Sequence, residues 1–253
     1  MSPILILMTI FIFLFGIVIG SFLNVCIYRI PKGEDIVKTS SHCMNCGYQL
    51  RWYDLIPLFS YIFLRGKCRK CGVKLSMQYP IVEALNGILY VLIFYVTDFT
   101  VDSFIFCLMT SALLVLAVID FRTYEIPWGI NLILFVLGVV RCMSDKENLM
   151  DHLIGFVAVS GVLLLIYIFS KGAAIGGGDI KLMAATGLLL NWKLIIFAFI
   201  LGCVIGSVIH LIRMKFFHAG RMLAMGPYLS AGIFIAALWG DTLIDGYLNL
   251  LGI

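Results

Sequence analysis

Four cysteines stand in two copies of one short pattern, Cys43-x-x-Cys46-Gly47-x-x-Leu50 and Cys68-x-x-Cys71-Gly72-x-x-Leu75. Each pair can present two thiolates to one ion, and the glycine behind it permits the tight turn that aims backbone N–H groups at sulfur. The gap of 21 residues between the pairs is close to the roughly 15–20 of a four-cysteine zinc template. Tetrahedral zinc on Cys43, Cys46, Cys68 and Cys71 is therefore expected. With every ligand supplied by the chain, that metal is structural and not catalytic. Two disulfides or four unrelated thiols are the alternatives. Arg65, Lys67, Arg69, Lys70 and Lys74 would offset the thiolate charge, and His42 is read as a bystander. Cys26, Cys107, Cys142 and Cys203 lie in or beside apolar runs and are read as small hydrophobes.

Two carboxylates carry the second chemistry. Asp120 closes an apolar run in Val118-Ile119-Asp120-Phe121-Arg122, and Asp179 opens another in Gly176-Gly177-Gly178-Asp179-Ile180-Lys181. Singly, Asp120 reads as an interfacial partner of Arg122 and Asp179 as a helix N-cap. Together they stand at one membrane depth on helices of opposite direction. Two carboxyls in a partly dehydrated site cannot both ionise easily. Such a pair can hydrolyse a peptide: the charged member takes a proton from water and the neutral one donates to the scissile carbonyl. The glycines before Asp179 leave room for a substrate strand beside the backbone.

The elements that must position these groups are membrane helices. Apolar residues make up 62% of the 253 positions and charged residues 13%, against about 45–50% and about 25% in soluble domains. Long apolar runs predict about eight transmembrane helices: 4–27, 79–97, 100–119, 128–143, 152–170, 178–191, 193–213 and 224–243. The expected fold is an all-α polytopic membrane protein with a small zinc-binding insert. Its parts are an anchor over 1–28, a cysteine domain over 29–78 and a seven-helix core over 79–253. Counting charge by side puts fifteen Lys and Arg, Arg221 among them, on one face, and only Arg141, Lys146 and Lys193 on the other. By the positive-inside rule the cysteine domain and both aspartates face the cytoplasm. No interleaving of aromatic and basic residues points to nucleic acid; the net charge of +4 suits anionic lipid.

Taken in order, these motifs resemble the bacterial prepilin peptidases, membrane aspartyl proteases that also N-methylate the new pilin N-terminus. The resemblance runs through Phe15-Gly16-x-x-x-Gly20-Ser21-Phe22-Leu23-Asn24-Val25, the paired cysteines, Asp54-Leu55-Ile56-Pro57, Arg65-Gly66-Lys67-Cys68, Tyr79-Pro80-x-x-Glu83, Ile119-Asp120 and Gly176-x-Gly178-Asp179-x-Lys181-Leu182. It implies that Asp120 and Asp179 are catalytic, with Gly176, Gly178 and Lys181 supporting them. It also implies methyl transfer from S-adenosylmethionine in the cysteine-bearing part, with Glu83, Gly66 and Lys67 as its residues, and prepilin-like proteins as substrates at the inner membrane. The chain departs from the family pattern at Ile126-Pro127-Trp128 and at Ala224-Met225-Gly226-Pro227. Glu34, Asp35 and Asp54 are candidates for local contact with a basic leader. A proton-relaying transporter, the rival from another class, predicts midplane carboxylates and an inverted repeat. Neither is seen in the sequence.

Overall fold

Each apolar run is helical in the computed structural model, which describes residues 3–217 and 222–252. The helices are α1 (Pro3–Arg29), α2 (Phe59–Phe63), α3 (Gln78–Thr97), α4 (Val101–Thr123), α5 (Trp128–Ser144), α6 (Leu149–Phe169), α7 (Gly177–Leu190), α8 (Trp192–Phe217) and α9 (Gly226–Leu251). Among the described residues, six are long and apolar enough to cross a membrane and α5 is a shorter apolar helix. Helix α7 has 14 residues, about 21 Å at roughly 1.5 Å per residue, where bilayer hydrocarbon is about 30 Å thick. Its residues Leu182, Met183 and Ala185–Leu190 are buried, so it lies inside protein and not against lipid. Arg221, counted above with the inner charge, falls outside the described residues.

The chain forms two compact units, Met1–Ser103 and Phe104–Ile253. In the first, α1 lies on α3. Ile4, Leu7, Phe11, Phe15, Val18 and Phe22 are exposed along one face of α1, a stripe that lipid covers at no cost in hydration. The opposite face carries Gly16 and Gly20. A Cβ at Gly16 would sit 2.7 Å from the Gly87 Cα, and one at Gly20 would sit 2.7 Å from the Glu83 Cα. With no apolar driving force between helices in lipid, small residues let backbones approach and polar side chains bond across. Asn86 donates to the Gly16 carbonyl at 2.8 Å, and Asn24 donates to that of Tyr79 at 3.1 Å.

In the second unit α7 is held between α5 and α6. Helix α6 runs antiparallel to it and crosses at Gly155, where a Cβ added to Gly187 would fall 2.1 Å from the Gly155 carbonyl oxygen. The C-terminal carbonyls of α7, orphaned as at any helix end, are capped by buried side chains. His152 donates to Leu188 at 2.9 Å, and Arg141 donates to Leu189 at 2.7 Å. Arg141 also sets a cation against the negative end of the helix dipole. Helices α8 and α9 form an antiparallel pair, again glycine against backbone, with Gly232 facing the Ala198 carbonyl.

Replacing Gly187 with leucine must separate α6 from α7 at the backbone. The expected loss is about 3 kcal/mol or more, the upper range of overpacking, read as a fall in thermal midpoint of the purified protein in detergent. A Gly177→Leu control, with open space around its Cβ position, should leave that midpoint near wild type.

Candidate active site and metal centre

The two cysteine knuckles repeat each other bond for bond at an offset of 25 residues. Cys43 N–H donates to Tyr48 and Cys68 N–H to Val73, both at 2.9 Å, while Gly47 and Gly72 N–H donate back to Cys43 and Cys68 at 2.9 Å. Gly47 and Gly72 take φ of 66° and 70°, the left-handed conformation that favours glycine. The turns aim N–H groups at sulfur: those of Asn45 and Cys46 reach Cys43, and that of Val73 lowers the Cys71 thiol to about 6. All four sulfurs lie within 4.8 Å of one another, with Cys43 to Cys71 at 3.9 Å and Cys46 to Cys68 at 4.0 Å. Sulfurs each about 2.3 Å from one tetrahedral ion stand about 3.8 Å apart, so the set fits zinc. His42 is not in the group. Cys26, Cys107 and Cys142 are buried and Cys203 half-buried, all free.

Asp54 joins the two knuckles. Its buried carboxylate accepts from the Arg51 amide at 3.2 Å, and it pairs with Arg69 at 2.7 Å. That engagement removes it from the candidates for leader contact. Asp35 holds its own turn through the Val37 and Lys38 amides.

Glu83 stands in the second turn of α3, beyond the first-turn position at which a helix-start charge acts, and is buried. Its Oε2 accepts from the Leu58 amide at 2.8 Å. Leu58 has φ 60° and ψ −53° and is bridged by a Phe59 amide to Pro57 carbonyl bond, a γ-turn of the rare, strained kind. Glu83 also lines a cavity of about 350 Å³ within the first unit. Gly66 and Lys67 are not among its lining residues. Gly66 instead makes a left-handed corner at φ 65° beneath the Tyr61 ring, and Lys67 is exposed.

In the second unit, Asp120 near the end of α4 is 5% exposed. Its Oδ2 accepts from the Gly226 amide at 2.8 Å, at the start of α9. Asp179 is the third residue of α7, with Gly176 as N-cap, so it is not the cap itself. Its carboxylate takes the Gly176 N–H in turn, and the two aspartates lie within electrostatic reach of each other. The glycines divide their roles: Gly176 abuts the Asp179 carboxylate, Gly178 makes room for Ile126, and only Gly177 borders open space. Lys181 is exposed. Sequence reasoning missed Gly226, where a Cβ would fall 2.7 Å from the Asp120 carboxylate. It also missed Asn131, which ties α5 to the Gly178 carbonyl at 3.4 Å. The available signal was Gly226-Pro227 itself, a helix start on the same face as both aspartates.

Comparison with known proteins finds a family match in each unit. Residues 14–97 match the family model described as Bacterial Peptidase A24 N-terminal domain, and residues 107–211 match that of the Type IV leader peptidase family. A protein of Myxococcus xanthus named prepilin leader peptidase/N-methyltransferase is 32% identical over 79% of this chain and 62% of its own length. Proteins of the same name from Xanthomonas campestris and Aeromonas hydrophila are 33% and 31% identical, each match covering 94% of this chain and 93% of the relative. No solved structure matches the chain.

Purified protein should carry one zinc per chain by elemental analysis, and a Cys43→Ser/Cys46→Ser variant should carry none. Retention of stoichiometric zinc by that variant would rule out the four-cysteine site.

Proposed function

Because this chain belongs to the type IV leader peptidase family, we infer that it removes the basic leader of prepilin-like precursors and N-methylates the new N-terminus with S-adenosylmethionine. The observation that carries the peptidase reading is the meeting of Asp120 and Asp179 from different helices, each held by a backbone N–H inside an apolar bundle. Among the described residues of that unit, no other pair of carboxylates joins a buried acid and a half-buried one with exposed glycine backbone beside them.

In this reading the ionised aspartate takes a proton from water, whose oxygen forms a bond to the scissile carbonyl carbon. The protonated aspartate hydrogen-bonds the carbonyl oxygen as charge develops there. On collapse the C–N bond breaks, and the aspartate that received the proton passes it to the leaving amine, so the pair returns to its starting state. Gly226 and Gly176 keep the carboxylates apart and aimed, and Gly177 leaves the approach clear for the extended leader. The cysteine-bearing segment and the aspartates face the cytoplasm in this assignment, as the distribution of basic residues supports.

When bound, S-adenosylmethionine would supply an electrophilic methyl group to the substrate amine, which would lose a proton. Zinc on Cys43, Cys46, Cys68 and Cys71 fixes the fold of the segment that accompanies this activity and takes no part in either step.

With a co-expressed prepilin-like substrate, Asp120→Asn and Asp179→Asn should each lower leader cleavage by at least about 10²-fold, the scale of lost general acid–base catalysis, while still inserting in the membrane. Gly226→Val should also cut slowly, because its side chain displaces Asp120. Normal cutting by either asparagine variant would refute the paired-aspartate site. The Cys43→Ser/Cys46→Ser variant should keep measurable cleavage, separating the zinc segment from proteolysis.

A further inference from the structure

Helix α2 carries its apolar side outward. Phe59, Ile62 and Phe63 fall at i, i+3 and i+4, one face of a helix, and they are 51%, 70% and 84% exposed. Leu55 and Ile56, which lead into the helix, are exposed as well. The other side packs inward: Ser60, Tyr61 and Leu64 line the cavity of the segment, and the Tyr61 hydroxyl donates to the Leu75 carbonyl at 3.2 Å. Single apolar side chains are ordinary on a surface, whereas a contiguous set marks a contact surface.

What covers that face follows from its height against α3. Two ties hold α2 beside the start of that helix. The Leu58 amide, one residue before α2, donates to Glu83 in the second turn of α3. The Tyr61 hydroxyl reaches the sulfur of Met77, the residue that caps α3, at 3.1 Å. Helix α3 has 20 residues, about 30 Å at roughly 1.5 Å per residue, which is no more than the thickness of bilayer hydrocarbon. It spans that layer only if its first turn stands at the hydrocarbon edge, and Glu83 then lies about 7–8 Å inside the edge. Helix α2, tied at both levels, lies in the interface, where an amphipathic helix buries its apolar face about 5–10 Å deep. Arg65 and Lys67, both exposed, follow it directly and suit headgroup phosphates. We propose that α2 is an interfacial membrane element, with Phe59, Ile62 and Phe63 inserted among lipid acyl chains and Arg65 and Lys67 at the headgroups. The insert is then not wholly aqueous: it is moored to lipid between its two cysteine knuckles as well as through α1 and α3.

The test places one tryptophan in that face. With Trp52, Trp128, Trp192 and Trp239 replaced by phenylalanine, Phe63→Trp is introduced into the full chain in phospholipid nanodiscs. Bromine on the acyl chains should quench its emission as strongly as that of a Phe11→Trp reference on the lipid-facing stripe of α1, and aqueous iodide should leave it nearly unquenched. Quenching by iodide and not by brominated lipid puts the face in water. Protection from both quenchers puts a protein surface over it, such as a second copy of the chain. Either result overturns the proposal. The unaltered chain serves if the tryptophan replacements prevent folding. Trypsin cuts after Arg51 and Arg65, and a phospholipid with a photoreactive diazirine in its acyl chain should label the released peptide, residues 52–65. Labelling of the membrane spans with none in that peptide overturns the proposal equally.

Discussion

A carboxylate inside an apolar helix bundle needs hydrogen-bond donors that do not bring bulk, and the organisation of both units follows from that need. Isolated charge is costly away from water. Backbone amides meet the buried acids Asp120, Glu83 and Asp54, through Gly226, Leu58 and Arg51, and the half-buried Asp179, through Gly176. An amide is free to do this only where the helix ladder has not yet claimed it, at a helix start or in a turn. The site is therefore assembled from helix beginnings. Helix α7 must begin within the bundle, and its far end needs the caps given by Arg141 and His152.

Glycine carries most of the helix contacts for a related reason. Lipid tails are as apolar as leucine, so helices gain little from hiding side chains from one another and gain instead from close backbone approach. Gly16 on Gly87, Gly155 on Gly187 and Gly232 on Ala198 all bring main chains together. The Gly155–Gly187 crossing fixes the height of α7 against α6, and hence the level at which Asp179 stands.

Much of this was legible in the sequence. The cysteine knuckles were readable because ligand spacing and turn glycines repeat, and both constraints are local. Helix positions were readable from hydropathy, with edges good to a few residues except at the end of α9, which runs on to Leu251 where the apolar run suggested an end at 243. Asp120 and Asp179 stood out as boundary carboxylates. The partner of Asp120 did not, because Gly226 contributes an amide and an absent side chain, and neither has a residue type that advertises chemistry. The reach of Asp54 to Arg69 and of Glu83 to Leu58 was hidden for another reason: both depend on how a loop folds back on itself, and no periodicity encodes that. The shortness of α7 was visible as a 14-residue run but looked like a thin span, since hydropathy does not distinguish lipid from protein as the apolar neighbour.

Helices α6 and α7 cross at Gly155 and Gly187 and run on toward the same end of the bundle. From the crossing α7 continues to Gly177 and α6 to Phe169, about 15 Å and about 21 Å at the usual rise per residue. The head of α7 thus sits about one helical turn below its neighbour's end, and the chain returning over Lys171–Gly176 is non-helical and mostly exposed. Non-helical backbone at such depth is tolerated only against protein or water. If Asp179 acts in the hydrolysis proposed above, the step between the two helix ends is the route by which water reaches it from the exposed Lys171–Gly176 segment.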